Sequence, residues 1–304
     1  MSTAPKQLVI ISGKGGTGKT SLAAAIAHLA AGEMPIVIAD ADVDAANLDL
    51  VLHPTRLESH PFSNGLVAEI DEEKCISCGL CEEACRFDAI LVPDRTGDPY
   101  GIDEVACDGC AACVYHCPVE AITMREPQVG EWYISETPYG PLYHAHLFAG
   151  ADNSGKLVTL VKQQAKLRAM DDGRPLVVVD GPPGIGCPVI SAASGADLAL
   201  IVVEPTLSGA HDLARVLELT DHFGVPALVA INKGDLSEQQ SAAIEAFCRE
   251  RGVALSVRIP YDTLVTEAMV AGQPITAYAE SPAAQAIRAL WATIKARLGL
   301  QGKE

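Results

Sequence analysis

Two runs of four cysteines, Cys75/Cys78/Cys81/Cys85 and Cys107/Cys110/Cys113/Cys117, both follow the spacing C-x2-C-x2-C-x3-C, and Pro118 follows the second. Thiolates are soft ligands, and four at this spacing suit iron in [4Fe–4S] clusters. Zinc is the alternative, because C-x2-C pairs also bind it. A different chemistry stands near the N-terminus. Gly13-Lys14-Gly15-Gly16-Thr17-Gly18-Lys19-Thr20 fits G-x-x-x-x-G-K-[ST], a loop whose backbone N–H groups converge on phosphate oxygens. Gly13, Gly15, Gly16, Thr17 and Gly18 would form the cradle, with Ser21 beside it on the first helical turn. Lys19 would reach the β- and γ-phosphates, and the Thr20 hydroxyl would bind Mg²⁺.

Acids would complete that site. Val177-Val178-Val179-Asp180 reads as an apolar strand ending in a carboxylate, suited to holding Mg²⁺ through water. Gly181-Pro182-Pro183-Gly184 then makes a stiff turn in which the Gly184 amide could sense a γ-phosphate. Asp40, Asp42 and Asp44 end another strand. Asp42 is expected to orient the attacking water, while Asp44 either shares that work or caps the turn.

Three further features are open to two readings, and a fourth to one. Cys187, seven residues after Asp180, is either a ligand for a transient ion or labile cluster, or a small apolar thiol packed beside Pro188. His144 and His146 would share a face on a strand and could give two imidazoles to a metal, or be ordinary hairpin residues. Asn153-Ser154-Gly155-Lys156 opens a helix, either reporting nucleotide state or only capping. Cys248, on a helical stretch, is expected to be structural.

The elements that must position these groups can be read from composition and pattern. The chain has 304 residues, is 49% hydrophobic and only 5% aromatic, and carries a formal net charge of −17. Such acidity disfavours sequence-independent nucleic-acid binding and adhesion to anionic membranes. Eight of the ten cysteines fall in the two runs, which reads as metal ligation in a reducing compartment rather than a disulfide scaffold. With no signal peptide or bilayer-length apolar run, a soluble cytoplasmic protein is expected.

Strands are expected at Leu8–Ser12, Pro35–Ala39, Leu176–Val179, Leu198–Val203, Ala227–Ile231 and Ala254–Val257. Helical stretches alternate with them near Lys19–Ala31, Gly155–Met170, Gly209–His222, Glu238–Arg251, Asp262–Ala271 and Pro282–Leu298. This predicts an α/β fold, a doubly wound and mostly parallel sheet. Composition shifts to Cys, Asp, Glu and Gly over residues 68–126, the expected insert, which divides the ATPase domain into residues 1–67 and 127–304. A returning hairpin is expected over 127–148. Between Asp71 and Arg125 there are twelve acids and four bases, a setting that favours low cluster potentials and a partner with a basic docking face. The stripe Ile287, Leu290, Trp291, Ile294 and Leu298 is expected to dock the last helix on the sheet rather than on a membrane.

Lys14, a second lysine within the phosphate loop, makes the segment resemble the deviant Walker A box of MinD/ParA-class ATPases. That class includes the nitrogenase iron protein and the iron–sulfur carrier ATPases. With the paired cysteine runs, Asp152-Asn153-Ser154-Gly155-Lys156 and Asp180–Pro188, nearly the whole chain resembles a branch of the class with an inserted ferredoxin domain. The resemblance implies an ATP-sandwiched homodimer in which Lys14 reaches the partner's nucleotide. It also implies that Asn232, in Asn232-Lys233-Gly234-Asp235, contacts adenine, and that ATP/ADP and Mg²⁺ are bound. In the nitrogenase iron protein a cysteine at the offset of Cys187 ligates a cluster shared between subunits. In two-cluster ferredoxins the fourth cysteine of each run serves the other cluster. One cluster would then take Cys75, Cys78, Cys81 and Cys117, the other Cys107, Cys110, Cys113 and Cys85. The expected function is a dimeric, nucleotide-controlled ATPase in iron–sulfur or metallocofactor assembly. An ATP-gated, low-potential electron carrier to a client enzyme is the second reading, and a MinD-like positioning protein the third.

Overall fold

The computed structural model describes residues 4–151 and 154–301, so the Asp152-Asn153 part of the expected helix-opening segment lies outside the described residues. In β1 (Lys6–Ser12), Leu8, Val9, Ile10 and Ile11 are fully buried, as in a strand covered on both faces. The phosphate loop follows and feeds α1 (Lys19–Ala31), whose Ala23, Ala24, Ala25, Ile26 and Ala27 bury almost completely. Small alanines permit that close approach of helix to sheet. After β2 (Ile36–Asp40) come α2 (Leu48–Leu52) and β3 (Thr55–Ser63), two elements with no counterpart in the sequence reading. Strand β3 is mostly exposed, so it carries no apolar alternation to reveal it.

The next elements are short. They are β4 (Val67–Ile70), α3 (Leu80–Ala84), β5 (Ile90–Leu91), β6 (Gly101–Ile102), α4 (Ala112–His116) and β7 (Ile122–Arg125). The long strands β8 (Gln128–Thr137) and β9 (Gly140–Leu147) then form the expected hairpin, joined through Pro138-Tyr139. Alternation resumes with α5 (Ser154–Asp171), β10 (Leu176–Pro183), α6 (Cys187–Ala193), β11 (Leu198–Val203), α7 (Leu207–His222), β12 (Ala227–Asn232), α8 (Glu238–Glu250), β13 (Ala254–Ile259), α9 (Leu264–Val270) and α10 (Pro282–Leu298). Ser281 caps α10 by accepting from the Ala284 N–H, Pro282 occupies its first turn, and left-handed Gly299 ends it.

The chain divides into two compact units. The larger comprises Met1–His60, Trp132–His146 and Ser154–Glu304. A nine-stranded sheet runs in the order β13-β12-β11-β1-β10-β2-β9-β8-β3. Strands from β13 to β9 pair in parallel. Because β1 lies between β10 and β11, the connections diverge beside it, which opens a crevice at the carboxyl ends of these strands. The stripe on α10 docks as expected: Ile287, Leu290, Trp291, Ile294 and Leu298 join the buried core.

The smaller unit comprises Pro61–Glu131 and Leu147–Asn153. Its two halves repeat one another in backbone detail. Cys75 N–H donates to Asp71 O and Cys107 N–H to Asp103 O, each at 3.0 Å. Asp71 N–H reaches Ala121 O at 2.7 Å, and Asp103 N–H reaches Ala89 O at 2.8 Å. The positions after the fourth cysteines match as well, with Asp88 and Glu120 both left-handed. Its buried core cluster is small, Ala68, Ile90 and Ile122 completed by Cys81 and Cys113. A core this size gives little burial energy by itself, so the thiols are part of what must hold the unit.

Candidate functional site

At the carboxyl end of β1, the loop Gly13–Gly18 bends back over the start of α1. Gly18 adopts φ 87°, and a Cβ there would lie 2.3 Å from Asn232 Nδ2, so only glycine fits. Gly15 and Gly16 are exposed, and a Cβ on either would meet open space. The loop is therefore uncrowded at these two positions, and a mouth opens beside it.

Lys19 is buried at the floor of this mouth. Its Nζ lies 3.1 Å from Asp180 Oδ1 and 3.2 Å from Asp42 Oδ2. Burial opposes its charge, but Asp180 and Asp42 more than offset that, so its pKa stands above the ordinary lysine value. Asp180 and Asp40 are register partners on adjacent parallel strands, which brings two carboxylates together at one sheet edge. Burial, then the Asp180 charge, hold the Asp40 carboxyl well above the usual range. Asp40 accepts from the Asp42 and Leu48 N–H groups, both at 3.1 Å, and so shapes the segment after β2. Burial also raises Asp42, and Lys19 offsets part of it.

The three acids thus separate by role. Asp40 is an internal brace, Asp42 faces Lys19, and Asp44 is exposed. Asp180 Oδ2 is buried with no hydrogen-bond partner among the described residues, and so is Thr17 Oγ1. A carboxylate oxygen orphaned beside a phosphate loop is a free acceptor for the water shell of Mg²⁺, with Thr20 beginning the adjacent helix. The donors and acceptors present therefore fit nucleotide with Mg²⁺. Asp180 would hold the ion through water, and Thr20 would touch it directly.

Several other expected residues are placed in ways the motif did not reveal. Lys14 Nζ lies 3.3 Å from Glu204 Oε2 in its own chain, and Lys233 Nζ lies 2.6 Å from Oε1 of the same carboxylate. Asn232 spends an amide hydrogen on the loop itself, donating to Thr17 O at 2.7 Å, which props the loop from below. Gly184, at φ 96°, donates its N–H to Ser12 O at 2.8 Å, so in this conformation that amide is engaged with β1. The Ser21 hydroxyl bonds Met269 Sδ at 3.1 Å.

Two participants were missed by motif reading. Glu204 ends the apolar strand β11, the same signal that marked Asp180 and Asp40. Lys162 of α5 is buried and donates to Ser191 O, Ala192 O and Ser194 O at 2.8, 2.5 and 2.9 Å, closing the C-terminus of α6. Burial pushes its pKa down to about 8. A lysine in an amphipathic helix gives no sequence sign of this task.

In the smaller unit the eight run cysteines surround two cavities. One, with an empty volume of about 330 Å³, is lined by Cys75, Cys78, Cys81 and Cys117. The other, about 340 Å³, is lined by Cys85, Cys107, Cys110 and Cys113. The fourth cysteine of each run has crossed to the other cavity. Four thiols around an apolar hollow fit a cluster as donor set. Among the described residues, no group of three or more His, Cys, Asp or Glu side chains is gathered tightly enough for a single ion. Burial pushes the Cys81 and Cys113 thiols up, in keeping with their place in the core.

The weaker candidates divide. Cys187 is exposed at the start of α6, which overturns the reading of it as a thiol packed beside Pro188. Cys248 is fully buried, and burial pushes its thiol up to about 11, as a structural cysteine requires. His144 and His146 do not meet at one site. His144 is buried, with Nε2 2.9 Å from Ser135 Oγ, whereas His146 is exposed. Residues on both sides of His146 along β9 are buried, so the face shared by His144 and His146 is covered at the first and open at the second.

Residues 8–275 match the CobQ/CobB/MinD/ParA nucleotide binding domain. An uncharacterised protein of Methanocaldococcus jannaschii is 38% identical over 229 residues, spanning 75% of this chain and 78% of that one. An uncharacterised ATP-binding protein of the same organism is 25% identical, over 92% of this chain and 84% of its own. The septum site-determining protein MinD of Pyrococcus horikoshii, solved with Mg-ADP, superposes with a TM-score of 0.63 at 20% identity, covering 99% of this chain and 100% of that one. That likeness establishes the shared fold. Among the described residues, no helix is long and apolar enough to cross a membrane.

Proposed function

The chain is a P-loop ATPase of the CobQ/CobB/MinD/ParA nucleotide-binding family, and from that premise we propose a Mg²⁺-dependent, homodimeric ATPase with two resident [4Fe–4S] clusters. Nucleotide state governs low-potential electron delivery from those clusters to a client in iron–sulfur or metallocofactor assembly. The observation that carries this reading is the crossed lining of the two cavities, which uses all eight run cysteines in closed sets of four. The insert over residues 68–126 is then the redox module, set between ATPase segments 1–67 and 127–304.

For hydrolysis, the loop N–H groups hold the phosphates and Lys19 turns from Asp42 and Asp180 toward the β- and γ-oxygens. Release of that cation leaves Asp42 free to orient water and Asp180 free to hold Mg²⁺ through its hydration shell. Lys14 leaves Glu204 to offset charge at the neighbouring subunit's nucleotide. Each cluster, when bound, supplies one-electron chemistry. Coupling has a covalent route. The segment that leaves Asp40 runs on into the cysteine module, and the chain returns through β8 and β9, where β9 pairs directly with β2. An acidic module favours a client with a basic docking face.

A second reading, transfer of a labile cluster to an apo-protein, is favoured by the exposed Cys187. The deciding experiment measures iron, sulfide and zinc per chain with electron paramagnetic resonance, before and during ATP turnover, beside a low-potential acceptor and an apo-protein. About eight irons and eight sulfides, retained during turnover while the acceptor is reduced, are expected. Loss of iron to the apo-protein would replace electron delivery with cluster transfer, and stoichiometric zinc would overturn both.

A further inference from the structure

The internal repeat allows the two cavities to be compared wall by wall. Ile70, Gly79, Leu80, Ala121 and Ile122 line the first, and Ile102, Ala111, Ala112, Ala89 and Ile90 stand at the matching places of the second. All of these exchanges are apolar. Two others are not: Tyr100 of the first cavity has Ala68 at its matching place in the second, and Ile76, directly after Cys75, is replaced by Asp108, directly after Cys107. Asp108 lines the second cavity from an exposed position, and no described group pairs with its side chain. In the first cavity the Cys117 sulfur instead accepts a hydrogen bond from the Ala121 N–H at 3.2 Å. Glu82, next to Cys81, is exposed as well, but it does not line the first cavity, and the Tyr100 hydroxyl donates to its carboxylate.

Reduction of a cluster adds one negative charge. An unpaired carboxylate in the wall opposes that addition, and an N–H bond to a ligand sulfur favours it. Resting on the cluster reading above, we propose that the two cluster sites are unequal. Asp108 makes the Cys85/Cys107/Cys110/Cys113 site the lower in potential, and the Cys75/Cys78/Cys81/Cys117 site collects the electron. With dithionite as donor, each SO₂ radical anion formed by its dissociation gives one electron to the protein and leaves as SO₂, which water converts to sulfite. The electron comes to rest on the first site, while the second stays oxidised until the potential is lowered further.

The test is a potentiometric titration of the intact protein followed by electron paramagnetic resonance, on wild type, Asp108→Asn and Ile76→Asp. Wild type should show two separate one-electron midpoints. Asp108→Asn should raise the lower midpoint and leave the upper in place, with the reduced-to-oxidised ratio at fixed potential changing by about tenfold, or ~59 mV. Ile76→Asp should lower the upper midpoint by a similar amount. Overlapping wild-type midpoints, or variants that move the wrong midpoint or neither, overturn the inference. Iron and sulfide analysis separates the two levels. Full cluster content with unmoved midpoints defeats this inference alone, whereas a wild-type chain without about eight irons defeats the cluster reading and the inference with it.

Discussion

Lys14 is tied to Glu204 of its own chain, Nζ to Oε2 3.3 Å, while Lys233 holds the other oxygen of that carboxylate at 2.6 Å. The MinD/ParA-class loop is expected to send Lys14 to a partner subunit, so this ion pair competes with dimer formation. Both side chains are partly accessible, which limits the pair to a surface-type energy of about 0.5–1 kcal/mol. Glu204→Gln should strengthen ATP-dependent dimerisation roughly two- to fivefold in analytical ultracentrifugation. An unchanged dimer constant would show that the pair imposes no cost on release.

Lys19 is the only cation bonded to the carboxylates of Asp42 and Asp180 among the described residues. Lys19→Gln should lower ATP turnover by about a hundredfold or more, through loss of transition-state charge stabilisation. It should also destabilise the ATPase unit, since breaking a buried ion pair leaves uncompensated charge, at a cost of about 3 kcal/mol. Turnover assays and thermal unfolding read the two effects separately. Retained turnover would remove Lys19 from the catalytic set.

Iron removal should act unevenly on the molecule. The smaller unit has Cys81 and Cys113 in its core, whereas the larger has an extensive aliphatic core. Chelation under reducing conditions should therefore abolish amide protection around Cys75–Cys117 while β1, β10 and β11 keep theirs in hydrogen exchange. Uniform loss of protection would contradict that separation.

His144 gives a pH prediction with a definite sign. Burial lowers its pKa to about 4, below the ordinary value of 6.5. The unfolded chain therefore binds a proton that the folded chain refuses, and stability falls as pH drops from about 6.5 toward 4. The loss from this group should reach up to about 3 kcal/mol. Denaturant titrations of wild type and His144→Gln across that window should converge at low pH. Parallel curves would mean that His144 titrates normally.

Much of the larger unit was legible from residue type alone. Leu8–Ile11 and Leu198–Val203 announced buried strands because parallel strands bury both faces, and the stripe Ile287, Leu290, Trp291, Ile294 and Leu298 announced α10. Strand β3 and helix α2 went unread for the opposite reason. One is an exposed edge and the other spans five residues, so neither repeats an apolar pattern long enough to see.

Spacing along the chain determined which groups can bind phosphate and which thiols form runs of four, because those features depend on neighbours a few residues apart. What only the tertiary structure decided depends on residues far apart in sequence. It brought Asp40 into register with Asp180, put Glu204 under Lys14, turned Asn232 onto the loop, and separated His144 from His146. It also left Asp180 Oδ2 without a partner among the described residues and put Asp108 in one cysteine-lined cavity where Ile76 stands in the other. Burial and ion pairing are properties of three-dimensional neighbourhoods, and packing of the sheet fixes those neighbourhoods.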